Sequence, residues 1–282
     1  MKPAARAGSL PPIFIKEAFM ERIVITGMGT INPLGRDVEQ TWQKLVEGWS
    51  AVDKITLFDT TDWNVSLGCE IRGYQPADYM DSKEARRRDR FEQFGVIASK
   101  QALANSGLEI TEQNAARIGT VISSAVGGLK SIQDNIYALK EDGFHRVSPF
   151  VVPMMMPNGA AGITAMDLGI RGPSLGVVSA CASGADGIGV AWMLLRSGMV
   201  DAVLAGGAEA TITPVGIGAF DRATALSRQT DPELAPRPFD LNRDGLVMGE
   251  GAGILVLETE SHARARGAEI LAEIAGYGST AD

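Results

Sequence analysis

Short apolar runs alternate with longer amphipathic stretches along most of the chain, and no other feature constrains the fold as strongly. The runs typical of strands are 22–26, 118–122, 175–178, 202–204, 253–257 and 270–274. The stretches typical of helices are 37–47, 82–105, 128–139, 158–168, 182–195 and 261–266. Strands that alternate with helices favour an α/β fold whose sheet is largely parallel and buried on both faces.

The stretch 82–105 has the most regular helical pattern. Ser82 is a candidate N-cap, and an apolar stripe follows at helical spacing, formed by Phe91, Phe94, Ile97, Ala98 and Ala102. Gly107 stands just beyond, where a glycine often ends a helix. The pattern predicts a single long helix packed against the sheet.

Composition and charge exclude several classes of protein. The 282 residues include 26 Lys and Arg against 34 Asp and Glu, giving a net charge of −8, whereas nucleic-acid binding needs a basic surface. Cys69 and Cys181 are too few for a disulfide framework or a zinc site. Residues 1–20 lack a signal-peptide pattern, and we interpret them as a disordered extension or an early start. Together these features predict a cytoplasmic protein.

The stretch 174–195 is apolar enough to be mistaken for a membrane span. Its glycines and serines and the charge at Asp186 argue instead for two elements joined by a turn. A span needs about 20 mainly large apolar residues. We therefore interpret the stretch as a strand followed by a buried helix.

The sharpest local signal lies at that junction, where Val-Val-Ser-Ala-Cys-Ala-Ser-Gly occupies positions 177–184. A strand followed at once by a helix presents Cys181 at the sheet edge, as in a nucleophile elbow. The amino end of a helix stabilises a thiolate, which is the nucleophilic form of cysteine. A buried structural cysteine would fit the same position. Cys69 lies in a loop-rich stretch, and we interpret it as structural.

A partner base for Cys181 is not evident. The two histidines, His145 in a loop and His262 on a charged helix, both have the setting of surface residues. Three glycine-rich segments, at 27–32, 127–131 and 249–253, depart from the dinucleotide and phosphate-loop patterns. The residues alone therefore indicate a possible nucleophile without its base, and no metal or cofactor site.

Several blocks together resemble a known family. They include Val-Ile-Thr-Gly-Met-Gly at 24–29, Pro-Phe-Val-Val-Pro at 149–153 with Asn158, the cysteine elbow, and the blocks at 171–174, 205–210, 225–227, 237–245 and 249–253. They are similar to the β-ketoacyl-acyl carrier protein synthases of the I/II type, condensing enzymes with the thiolase fold. The resemblance runs from residue 21 to residue 282. It implies a thiolase-like layered α/β fold, of which the chain holds the N-terminal half and the start of the C-terminal half.

The resemblance also implies site residues and a reaction. Cys181 would accept an acyl group as a thioester, with its backbone N–H in the oxyanion hole, and Val126, Phe150 and Asn158 would bind substrate. Malonyl-carrier would then lose carbon dioxide and attack the thioester. The family's catalytic histidines have no counterpart here, so we expect a truncated synthase that condenses poorly alone. Residues 21–265 would form the N-terminal domain, and 266–282 the first strand of a C-terminal domain.

The partners implied are an acyl carrier protein and a second copy of the chain, as a homodimer. The basic segment 83–88 offers Lys83, Arg86 and Arg87 to an acidic carrier, with Arg146 as a further contact. A solvated helix face would look the same. Two other functions stay open: a thiolase-like acyltransferase that uses coenzyme A, and a non-catalytic carrier-binding subunit.

Overall fold

A six-stranded sheet forms the centre of the computed structural model, which describes residues 21–281. The interpretation of residues 1–20 lies outside the described residues. The strands are β1 (Ile23–Ile31), β2 (Asp53–Lys54), β3 (Leu67–Gly68), β4 (Ile118–Ser123), β5 (Ser174–Leu175), β6 (Ala202–Glu209), β7 (Gly251–Thr259) and β8 (Ala272–Ile274). The main sheet has the order β5-β4-β6-β7-β1-β8, and β2 pairs with β3 separately.

Helices cover both faces of this sheet. They are α1 (Val38–Val46), α2 (Ser82–Ala85), α3 (Arg90–Ser106), α4 (Leu129–Asp142), α5 (Val151–Met155), α6 (Gly159–Leu168), α7 (Ser183–Arg196), α8 (Pro214–Arg222) and α9 (Glu260–Ala265). Helices α3 and α6 pack on one face, and α7 packs on the other. Because strand side chains alternate, Leu204 joins the core beneath α3 while its neighbour Val203 joins the core beneath α7.

The sheet is mixed, so the expectation of a largely parallel sheet was wrong. Strand β4 runs parallel to β5 and β6, whereas β7 is antiparallel to both β6 and β1, and β8 is antiparallel to β1. Direction depends on the connections between strands: the long segment before β7 returns without a packed crossover helix. Parallel and antiparallel strands have similar apolar sequences here, because both kinds are covered by helices on both faces of the sheet.

The predicted helix 82–105 is two helices, α2 and α3. Helix α2 ends at Ala85, and Asp89 caps α3: its carboxylate accepts a hydrogen bond from the Phe91 N–H, while Glu92 accepts one from the Asp89 N–H. This reciprocal capping box outweighs the continuous helical pattern, because it satisfies two amides at the start of α3. The predicted end is confirmed, since Gly107 adopts φ 62° at the C-cap.

Helix α1 carries an apolar face that the sheet does not bury. Trp42, Leu45 and Val46 are all exposed, although their spacing predicts a buried stripe. The helix depends correspondingly more on its cap, where the Asp37 carboxylate accepts hydrogen bonds from the Gln40 N–H at 2.8 Å and the Gln40 Nε2 at 2.6 Å.

We expect Asp37→Ala to loosen α1. Loss of an N-cap costs about 1 kcal/mol, which corresponds to roughly fivefold faster amide exchange along the helix. Hydrogen exchange followed by mass spectrometry measures this directly. Asp37→Asn is the matched control, because asparagine caps as well as aspartate does. Equal protection of α1 in the alanine and asparagine variants would contradict the assigned cap.

Two further expectations concern 174–195 and 266–282. The strand in the first is only Ser174–Leu175, and α7 follows after an irregular stretch. At 14 residues α7 is about 21 Å long. Across residues 21–281, no helix combines the length and the apolar character needed to cross a membrane. Strand β8 extends the main sheet beside β1, and the assignment of 266–282 to a second domain stays a prediction.

Candidate active site

Cys181 lies in a tight turn immediately before α7. The preceding residue, Ala180, adopts φ 53°, a conformation that is uncommon for residues other than glycine. The turn is fixed by Ser183, whose hydroxyl donates to the Ala180 carbonyl at 2.6 Å and accepts from the Ser179 N–H at 2.9 Å. The turn leaves Cys181 exposed at the positive end of the α7 dipole, where negative charge on sulfur is favoured.

Glycines let this turn lie directly on the sheet. A Cβ atom at Gly207 of β6 would stand 3.1 Å from the Gly184 Cα in the first turn of α7. At Gly206 the contact with β7 is closer still, since a Cβ atom would lie 2.0 Å from the Gly253 carbonyl oxygen. Backbone of β6 therefore lies directly against the start of α7 with no side chain between them.

A cavity of about 630 Å³ opens at Cys181. Its walls combine glycine backbone with apolar side chains, among them Val126, Phe220, Leu226, Leu246 and Met248. The volume is within the range typical of small-molecule sites, and its apolar walls suit a hydrocarbon chain. Cys181 and Val126 are thus brought together, whereas Phe150 and Asn158 are not among the described residues that line this cavity.

Glu209 holds the Val126 loop in place, and sequence reasoning did not single it out. Its carboxylate accepts hydrogen bonds from the Ala125 N–H at 2.9 Å and from the Ser124 hydroxyl. Burial raises the pKa of the Glu209 carboxyl, while these donors lower it. The sequence does contain a signal for Glu209: it is an acid at the end of the apolar run of β6, where a buried carboxylate needs hydrogen-bond donors.

Phe150 is the N-cap of α5, and Asn158 is the N-cap of α6. The Cα of Asn158 lies 2.9 Å from where a Cβ atom on Gly176 would stand, and Gly176 belongs to the loop that leads to Cys181. The α5 backbone also packs on the glycines that follow Val126, because a Cβ atom at Gly128 would meet the Met154 carbonyl oxygen at 2.0 Å. Their predicted part in substrate binding stays a prediction.

The basic residues near α2 do not all face solvent. Lys83, Arg86, Arg87 and Arg146 are exposed, and the Arg87 guanidinium stacks on the Phe150 ring with 4.5 Å between them. Arg88 was part of the predicted basic segment, but it is buried and forms a two-pronged ion pair with Asp167 at 2.7 and 2.9 Å. Its role is therefore to join α2 to α6, because burial and pairing remove it from the surface.

No histidine lines the described part of the cavity, and its two acids are engaged elsewhere, Glu209 by the Ala125 N–H and Glu250 by Arg90. His145 is exposed beside the Phe144 ring. His262 is less exposed than its helix predicts, because its Nδ1 lies 2.5 Å from the buried Glu258. Residues 21–281 contain no cluster of three or more histidine, cysteine, aspartate or glutamate side chains arranged to hold a metal ion.

Cys69 lines the same cavity as Cys181, which its loop-rich context did not indicate. It is half-buried, its N–H donates to the Met248 carbonyl at 2.8 Å, and burial raises the pKa of its thiol. A thiol with a raised pKa is a poor nucleophile at neutral pH. The geometry therefore separates two cysteines in one cavity: an exposed one at a helix start and a shielded one in the wall.

The sequence matches a family model over most of its length. Residues 20–263 match the model of the β-ketoacyl synthase N-terminal domain. The chain belongs to the β-ketoacyl synthase family. It is 46% identical over 262 residues to 3-oxoacyl-[acyl-carrier-protein] synthase 2 of Staphylococcus aureus (strain COL), covering 93% of this chain and 63% of that protein. The chain thus spans less than two thirds of the length of this curated relative.

Solved structures of the family share the fold. A β-ketoacyl synthase from Burkholderia phymatum STM815 superposes with a TM-score of 0.82 at 35% identity, over 90% of this chain and 63% of that one. A ketosynthase in complex with its type II PKS acyl-carrier protein gives a TM-score of 0.77 at 28% identity, over 91% and 62%. The expected thiolase-like α/β fold is therefore confirmed.

Proposed function

We propose that this chain is the acyl-accepting part of a β-ketoacyl-[acyl carrier protein] synthase of fatty acid elongation. The observation that carries the proposal is the exposed Cys181 at the start of α7, in a turn with a positive φ at Ala180 and beside an apolar cavity of about 630 Å³. The printed function of the Staphylococcus aureus relative, a 3-oxoacyl-[acyl-carrier-protein] synthase, supports the reaction class.

In the first step, the Cys181 thiolate attacks the thioester carbonyl of an acyl carrier protein. The carrier's thiol leaves, and the acyl group becomes a thioester on Cys181 with its chain in the apolar cavity. The backbone N–H of Cys181 is one donor for the oxyanion that develops. Exchange of one thioester for another needs no cofactor, since the bond broken and the bond formed are of the same kind.

In the second step, malonyl-carrier loses carbon dioxide and its enolate carbon attacks the Cys181 thioester. The product is two carbons longer, and Cys181 leaves as the thiolate. The enolate charge needs hydrogen-bond donors, and the described cavity lining offers no histidine, lysine or arginine side chain. We therefore propose that acylation is within reach of this chain, whereas condensation by the chain alone is slow or absent.

Acylation by different donors distinguishes the candidate functions. The chain is incubated with acyl carrier protein thioester or with the matching coenzyme A thioester, and intact mass is recorded. An adduct formed faster from the carrier supports the synthase. Preference for coenzyme A would favour a thiolase-like acyltransferase, and carrier binding without any adduct would favour a non-catalytic subunit.

We propose that Lys83, Arg86, Arg87 and Arg146 form the docking surface for the carrier, which is acidic. The double variant Arg86→Glu/Arg87→Glu should weaken carrier binding at least tenfold at low salt, because two attractions become repulsions. Binding is measured by titration calorimetry at about 0.05 M and about 0.5 M salt, and the higher salt should weaken wild-type binding. Arg171→Glu is the control, since Arg171 is exposed near the amino end of β4, at the opposite end of that strand from Val126. Equal losses in both variants would refute this surface.

A homodimer through α5 is the assembly we propose. Val152, Met155 and Met156 are exposed on and just after α5 and give this helix an apolar outer face. Val152→Glu should shift the chain from dimer to monomer in sedimentation velocity, while Val46→Glu on α1 should not. A dimer that survives Val152→Glu would contradict this arrangement.

We also propose a cytoplasmic location, in which the two free cysteines stay reduced.

A further inference from the structure

A second cavity, of about 350 Å³, lies beside α1. It is formed by the loop 32–36 after β1, by Gln40 and Lys44 of α1, by the segment 49–53, and by Glu70 and Arg72. The two cavities share only Asn32 and Pro33 among their described lining residues. The sequence patterns discussed above do not account for it, and it has no part in the proposed acyl transfer.

The charges around this cavity do not balance. Three cations line it, Arg36, Lys44 and Arg72, against two carboxylates. Asp53 is paired with Arg72 at 3.4 Å. The carboxylate of Glu70 is occupied by the segment after β2, where it accepts hydrogen bonds from the Thr56 N–H at 2.8 Å, the Thr56 hydroxyl at 2.7 Å and the Leu57 N–H at 3.0 Å.

Arg36 and Lys44 are the two cations without an acidic partner; the Arg36 guanidinium donates a hydrogen bond to the Arg72 carbonyl, and the Lys44 ammonium lies over the Trp49 ring. Both are half-buried, and neither forms an ion pair with any residue that the structure describes. Their nearest acidic neighbours in sequence are already engaged, Asp37 with Gln40 and Glu47 with the Trp49 indole N–H at 2.9 Å. Burial of a cation favours a counterion, and these two are partly withdrawn from solvent with no carboxylate paired with them among the described residues. In a chain with net charge −8, two such cations at one cavity indicate that an anion completes the site.

Trp49 gives the cavity an aromatic wall. Its ring is well exposed, is held at one edge by the bond to Glu47, and lies 5.9 Å from the Lys44 ammonium. A fixed, exposed indole offers a face on which a flat ring can stack. The volume is at the lower end of small-molecule sites, which fits a ligand of mononucleotide size.

We infer that this cavity binds a nucleoside monophosphate, with the phosphate between Arg36 and Lys44 and the base against Trp49. The guanidinium fork suits two phosphate oxygens, and the ammonium acts as a point charge beside it. The site is separate from the proposed acyl transfer, so Cys181→Ala should leave its affinity unchanged.

The test is a calorimetric titration of the full chain with AMP, ribose 5-phosphate, adenosine and inorganic phosphate. AMP should bind at least tenfold more tightly than adenosine or phosphate, because it uses both the charge and the ring. Lys44→Gln should weaken AMP binding about tenfold, and Trp49→Leu should reduce AMP affinity to that of ribose 5-phosphate. Lys140→Gln is the matched control, since Lys140 occupies the last turn of α4 as Lys44 does in α1.

Three results would overturn the inference. They are AMP binding no tighter than adenosine, phosphate binding as tightly as AMP, or equal AMP affinities for the Lys44 and Lys140 variants. Circular dichroism of each variant checks that the fold is kept. If Lys44→Gln unfolds the chain, acetylation of the Lys44 amine in the wild-type protein is measured instead, with and without AMP. Slower acetylation of Lys44 in the presence of AMP supports the site, and an unchanged rate refutes it.

Discussion

Cys181→Ala is expected to abolish acylation of the chain by acyl carrier protein thioester. The acyl adduct in the intact mass spectrum should fall from stoichiometric to undetectable, because no other exposed thiol is present among residues 21–281. Fold stability should change by less than about 0.5 kcal/mol, since the Cys181 side chain is exposed and forms no hydrogen bond with the described residues. Loss of the adduct would therefore report chemistry rather than unfolding.

Cys69→Ala is the matched control for this experiment. Both cysteines line the same cavity, but burial raises the pKa of the Cys69 thiol and reduces its thiolate fraction. The Cys69 variant should keep its acylation rate within about twofold of wild type, as the small change in the cavity wall predicts. An adduct that persists in Cys181→Ala and vanishes in Cys69→Ala would identify Cys69 as the nucleophile and refute the proposal.

The local signal around Cys181 was readable because strand, turn and helix are adjacent in sequence. The predicted helix 182–195 is confirmed within one residue at each end. The strand before it is shorter than predicted, because residues 176–178 do not belong to the sheet: Val177 packs against the core beneath α7, and Val178 is exposed. Hydrophobicity reports burial, and it does not report whether a backbone amide finds a neighbouring strand.

Features that depend on distant residues were not readable in this way. The antiparallel direction of β7 follows from the path of the chain between β6 and β7, which no periodicity encodes. Arg88 looks like its neighbours in sequence, yet the fold places it against Asp167, 79 positions away. Cys69 lines the cavity and bonds to the backbone of Met248, which is more distant still in sequence. Such pairings are set by tertiary packing, so composition and spacing leave them undetermined.

Glu92 is a buried acid whose environment makes the stability of the chain depend on pH. Its side chain is fully buried, and Oε1 has no hydrogen-bond partner among the described residues. That oxygen lies against the start of α6, since a Cβ atom at Gly159 would approach it to 2.0 Å. Burial, with a smaller contribution from the Asp89 charge, raises the pKa of Glu92 to about 8.

Because the folded-state pKa is raised, the unfolded chain releases the Glu92 proton at lower pH than the folded chain does. Below about pH 4.5 both states keep the proton, and the group has no pH-dependent effect. Between about pH 4.5 and 8 the unfolded state binds fewer protons, so the free energy of unfolding falls as pH rises. Near pH 8 and above, the cost reaches its limit, on the order of 5 kcal/mol at about 1.4 kcal/mol per pH unit.

Glu92→Gln should therefore stabilise the chain at pH 8 by a few kcal/mol and have little effect at pH 4.5. Glutamine keeps the volume and the acceptor for the Asp89 N–H, whose hydrogen bond to Glu92 measures 2.8 Å, and it cannot ionise. Urea unfolding across this pH range measures the difference, with Glu112→Gln as a control because Glu112 is exposed. If the effect of Glu92→Gln were the same at every pH, the pKa of Glu92 would be equal in the folded and unfolded chain, and the assigned rise of that pKa would be wrong.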